Sequence, residues 1–173
     1  MRRCQIVFSK KQLNHFDEFF PPMDSDGFCT SFETYSSKEG GRKMKTIRQS
    51  VTNKASPHEV YEALTDSRRH ARFTGAKARI SRKVGGKFTA YDGYIEGVNL
   101  NLVPDKKIVQ SWRGSDWPKG HYSKATFSLR KVKNDTHLTF TQSGVPDQYY
   151  KDISQGWRDY YWKPMKKMLE KGN

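Results

Sequence analysis

From Ala78 to Ser143 the chain is cut by turn signals into short segments, and only after them does one long helical period appear. Gly85-Gly86, Asp92-Gly93, Pro104-Asp105 and Asn134-Asp135 make the cuts, each a pair that favours a tight turn. The segments between them, Ala78–Arg82, Lys87–Tyr91, Tyr94–Val103, Lys106–Arg113, His121–Val132 and Thr136–Ser143, read as strands. In His121–Val132, for example, Ala125, Phe127 and Leu129 fall on one face. An earlier strand is marked by Ile47, Gln49 and Val51 alternating with Arg48 and Ser50. Ser56-Pro57-His58-Glu59 then has the form of a capping box with proline at the first helical position. Val60, Ala63 and Leu64 supply the apolar stripe, and Asp66 caps a second short helix through Phe73. At the other end, Ile153, Trp157, Tyr160/Tyr161, Pro164 and Met168 recur at three-to-four spacing over Asp147–Lys171. Pro164 predicts a kink or local break there. Segregated strands and helices joined by hairpins mean an α+β fold. The pattern is satisfied by a curved antiparallel sheet around a long C-terminal helix, with two short helices after the first strand.

The 13% aromatic content is too high for a disordered chain. No apolar run approaches the roughly 20 residues of a membrane span, and Met1-Arg2-Arg3-Cys4 lacks the apolar stretch of a signal peptide. A soluble, cytoplasmic protein is expected. Cys4 and Cys29 make neither a disulfide framework nor a metal spacing. The net charge of +14 is unevenly spread. Residues 1–43 hold seven basic and six acidic residues, while the rest holds 25 and 12. The basic part admits nucleic acid, an anionic membrane or an acidic protein as partner. Residues 1–43 carry Pro21-Pro22 and stretches of Ser, Gly and Asp, and read as a disordered N-terminal extension before a domain at 44–173. Two other readings stand beside it: a docking tail using Phe16, Phe19 and Phe20, or a true start at Met44.

Several stretches, taken together and in order, resemble one family. They are Gly85-Gly86-Lys87-Phe88 with Asp92–Gly97, the run Leu102–Arg113, Trp117-Pro118-Lys119-Gly120-His121, Gly144-Val145-Pro146 and Gln155–Trp162. Residues 44 to about 170 are similar to the C-terminal domain of activators of the heat-shock protein 90 ATPase, a family of the START-like helix-grip (SRPBCC) superfamily. The resemblance implies a co-chaperone that binds a heat-shock protein 90 chaperone and stimulates its ATPase without being an enzyme itself, and that uses no cofactor. Eukaryotic activators carry a further N-terminal domain, which residues 1–43 do not resemble. The superfamily also implies an alternative, a carrier of a small apolar ligand in the space between sheet and helix.

For the carrier reading, the lining candidates are Phe73, Trp112, Phe127, Phe140, Trp157 and Tyr161; close packing of interiors favours these same rings as a filled core. For docking, the candidates are Trp117, Lys119 and His121 on one loop and Arg68, Arg69 and Arg72 on the second helix. Trp117 is open between an exposed docking residue and a plug at the sheet edge. An enzyme of the cyclase or hydrolase kind would need Asp92, Glu96 or Asp159 facing the cavity, and all three read as solvated carboxylates. The five histidines read as surface or helix-end residues, none at zinc spacing, so no metal site is expected. The basic clusters lack any RNA-recognition, helix-turn-helix or zinc-finger signature, so no specific nucleic acid is expected.

Overall fold

The structure, a computed structural model, describes residues 43–170. The extension expected over 1–43 lies almost wholly outside the described residues. Strands β1 (Met44–Asn53), β2 (Arg79–Ile80), β3 (Lys87–Ala90), β4 (Ile95–Val103), β5 (Lys107–Gly114), β6 (Ser123–Val132) and β7 (Asp135–Pro146) form one antiparallel sheet in the order β1-β7-β6-β5-β4-β3-β2. Helices α1 (Pro57–Thr65) and α2 (Ser67–Thr74) follow β1. The sheet curves around the C-terminal helix, which runs as α3 (Asp147–Gly156), a π-helical turn (Trp157–Trp162) and α4 (Lys163–Glu170). This is the α+β helix-grip expected from the sequence. Bulges at Lys45/Ile47 and Asn99/Asn101 add local bend to β1 and β4.

The capping chemistry is as read. Ser56 Oγ accepts from the Glu59 amide and the Glu59 carboxylate accepts from the Ser56 amide, closing the box. Asp66 caps α2 through the amides of Arg68 and Arg69. Two strands differ from expectation. Only Arg79–Ile80 of the stretch Ala78–Arg82 is strand, because the Ile80 amide is taken by Ser67 Oγ at the start of α2. β7 runs on to Pro146, because β1 continues to pair with it as far as Met44.

Pro164 sits inside the helix without breaking it. A proline has no N–H for the carbonyl four residues back and crowds it. That carbonyl, on Tyr160, accepts instead from the Tyr91 hydroxyl at 2.6 Å. The π turn ends two residues before the proline, where an insertion relieves the clash. Tyr91 reaches it from the β3–β4 turn, where Tyr91 and Asp92 adopt positive φ of 52° and 57°.

Candidate functional site

The space between sheet and helix is filled with rings. Phe140 from β7 and Trp157 from the π turn are 4.3 Å apart between centroids, Trp157 and Tyr161 4.2 Å, and Phe127 and Phe140 5.0 Å. Among the rings lies a cavity of about 10 Å³ bordered by His70, Ile108, Gln110, Trp112, Phe127 and Tyr161, among others. That is room for about one water, against the roughly 300–1,000 Å³ of a ligand pocket. Trp112, Phe127, Trp157 and Tyr161 border it, while Phe73 and Phe140 are buried away from it.

The core also carries a chain of polar side chains. The Trp157 indole donates to Gln142 Oε1 at 2.6 Å, Gln142 Nε2 to Ser123 Oγ at 2.8 Å, and Ser123 to the Trp112 carbonyl at 2.8 Å. Gln110 donates to Asn99, which donates to the Ser81 carbonyl. Trp162 donates to Gln49 Oε1, whose amide nitrogen holds the Ser154 carbonyl. Buried indole N–H groups need such acceptors. Sequence reasoning missed this network. Its signal was Gln142, a polar residue two positions from Phe140 on the face of β7 that also carries Leu138.

His70 overturns the expectation of a surface or helix-end histidine. It is 5% exposed, 4.8 Å from Phe73 and 5.4 Å from Tyr161 between ring centroids. Neither ring nitrogen has a well-formed hydrogen-bond partner. Burial pushes its pKa down to about 4, with the nearby Leu64 and Ala63 carbonyls opposing in part. α2 puts it there: at three-residue spacing His70 and Phe73 share the face that meets the core, while Arg68, Arg69 and Arg72 stay exposed.

The carboxylates considered for catalysis all lie outside the core. Glu96 accepts from Arg113 at 3.2 Å and from the Tyr122 hydroxyl at 3.3 Å. Asp159 is held by Lys163 and Gln155, which keep its carboxyl below the usual range. Asp92 accepts weakly from the Lys77 amide. No cluster suited to a metal ion occurs among the described residues, and no described helix is long and apolar enough to cross a membrane.

Trp117 is not an exposed docking residue. It is 3% exposed, stacked on Tyr149 at 5.8 Å and set edge-on to Trp112 at 5.2 Å. The turn needs it as a plug at the end of the sheet. His121 is half-buried and donates from Nε2 to the Gly144 carbonyl at 2.8 Å. Lys119 alone of that loop trio is fully exposed. The docking candidates therefore fall on two separate elements, with the arginines of α2 the more open set.

The family model described as "Activator of Hsp90 ATPase homolog 1-like protein" matches residues 54–170, from the end of β1 to the end of the last helix. The chain belongs to this family. It is 34% identical over 134 residues to the human "Activator of 90 kDa heat shock protein ATPase homolog 1", a match covering 76% of this chain and 40% of the relative. A Dictyostelium discoideum relative, "Activator of 90 kDa heat shock protein ATPase homolog", is 32% identical over 66% of this chain and 30% of its own. The chain thus spans well under half the length of these curated relatives. Among solved structures, an HSP90 activator from Plasmodium falciparum superposes with a TM-score of 0.68 at 27% identity, covering 72% of this chain and 96% of that one. A Mesorhizobium loti protein gives 0.66 at 20% identity, over 75% and 99%, a likeness of fold alone.

Proposed function

We propose that this activator-family chain is a cytoplasmic co-chaperone, which binds a heat-shock protein 90 chaperone and raises its ATPase rate without catalysing a reaction itself. The observation that carries this is the family match across 54–170, together with relatives whose names state that activity. The ring-filled space between sheet and helix supports it too, since the cavity bordered by His70, Trp112 and Tyr161 holds only about 10 Å³, far below the usual size of a ligand pocket. Stimulation requires tighter binding to the ATP-competent state than to the open one. A 100-fold preference is about 2.7 kcal/mol, the scale of a few interface hot spots. Arg68, Arg69 and Arg72 form the docking face in this proposal, with Lys119 beside His121 as a second contact.

The test is the steady-state ATPase of a heat-shock protein 90 chaperone titrated with the full chain at low and moderate salt. A saturable, salt-sensitive rise is expected. Reversing all three arginines to Glu is expected to raise the half-saturating concentration at least tenfold. A flat response from correctly folded protein overturns the proposal.

A further inference from the structure

β1 ends the sheet, and among the described residues its outer edge pairs with no strand. It is ten residues long, contains neither Gly nor Pro, and is bulged only near its start. The opposite edge, β2, has two residues. Long free edges are ready templates for another strand.

Two surface grooves border this strand. One, of about 360 Å³, is lined by Arg48–Val51 together with Arg158, Trp162 and Lys163 of the C-terminal helix. The other, of about 680 Å³, is bordered by Lys43, Lys45 and Lys151, with Asp147 its sole carboxylate. Asp147 is already paired with Lys45, and Lys163 with Asp159. Arg48 and Arg158 are exposed and make no ion pair among the described residues. The strand is also held in place. Gln49 points toward the helix and is bonded to both Ser154 and Trp162, so little ordering remains to be done on binding.

We propose that the β1 edge is a strand-addition site for an acidic extended peptide, a surface separate from the α2 arginines and independent of the co-chaperone reading. The free backbone of Ile47–Asn53 supplies the hydrogen bonds. Alternate side chains of the incoming strand face the groove lined by Arg48, Arg158 and Lys163. Charge selects this occupant. A second copy of β1 would bring its own Lys45 and Arg48 to an already basic edge, and charge of this kind protects an edge against self-pairing, whereas carboxylates would be attracted.

The probe is a capped eight-residue peptide of alternating Glu and Val, with a Lys-for-Glu version as control, added to the full chain. Amide hydrogen exchange and fluorescence polarisation are the readouts. The Glu peptide is expected to bind and to slow exchange at the β1 amides that do not pair with β7. Arg48→Glu with Arg158→Glu is expected to weaken binding at least tenfold with an unchanged urea midpoint. Binding without slowed β1 exchange, equal binding of the Lys peptide, or an indifferent double variant each overturns the proposal. So does an edge already protected in the free chain: a dimer on sedimentation would assign it to a second copy, a monomer to another segment of the same chain.

Discussion

Acidification from pH 7 to pH 4 is expected to remove a definable amount of stability through His70 alone. Its ring is buried, and its pKa falls from 6.5 to about 4 on folding. A depressed histidine pKa means the unfolded chain takes up the proton first. The contribution is therefore fully present above pH 6.5, and is lost as pH falls through the interval down to 4. At about 1.4 kcal/mol per pKa unit, the loss is about 2 kcal/mol at pH 5 and about 3 kcal/mol at pH 4. The assay is urea unfolding of the wild type and of His70→Phe at pH 7, 6, 5 and 4. Phenylalanine keeps a ring beside Phe73 and Tyr161 and removes two nitrogens that lack partners. The variant is thus expected to be neutral or stabilised at pH 7. Other groups titrate in both proteins, so the difference between the two curves isolates His70. A difference that stays constant from pH 7 to pH 4 would refute the reasoning.

Three further substitutions test the architecture by urea unfolding at pH 7. Gly97→Ala would place a Cβ against the Ser111 carbonyl and 2.7 Å from the Phe88 ring; a loss of about 2–3 kcal/mol or failure to fold is expected, and a neutral result would mean the two strands are less tightly apposed. Tyr91→Phe strips the Tyr160 carbonyl of its donor and is expected to cost about 1 kcal/mol. Ser56→Ala opens the capping box at a cost of about 1 kcal/mol.

Local chemistry was legible in the sequence wherever the signal was local. The Ser56–Glu59 box, the Asp66 cap and most strands lie where turn pairs and alternation place them. What the sequence did not reveal depends on residues far apart along the chain. The strand read over Ala78–Arg82 is cut down to Arg79–Ile80, where the Ile80 amide goes to Ser67, and Gly144 stays within β7 because β1 pairs alongside. Trp117 illustrates the same limit at the candidate site. Its loop has surface composition, yet the ring is captured between Trp112 at the end of β5 and Tyr149 on the distant α3. For His70 the signal was present and overlooked: a residue three before Phe73 on a short helix shares its buried face.

The π turn accounts for the close packing of rings between the sheet and the C-terminal helix. In a regular α-helix, residues five apart point about 140° away from each other, so Trp157 and Trp162 would not both face the sheet. Here they are stacked, 5.3 Å apart with planes 18° from parallel, and Phe140 lies within 5.3 Å of both. The wider turn brings a third aromatic onto the face already occupied by Trp157 and Tyr161, and Gln142 and Gln49 accept the two indole protons it turns inward. The turn is stabilised from outside by Pro164, which leaves the Tyr160 carbonyl free, and by Tyr91, which accommodates it. A helix without this insertion would withdraw Trp162 and open space against β1. The same residues that fill the core therefore also fix Gln49 and Arg158 beside the β1 edge. Interior packing and the geometry of that outer groove are set by one local departure from α-helical winding.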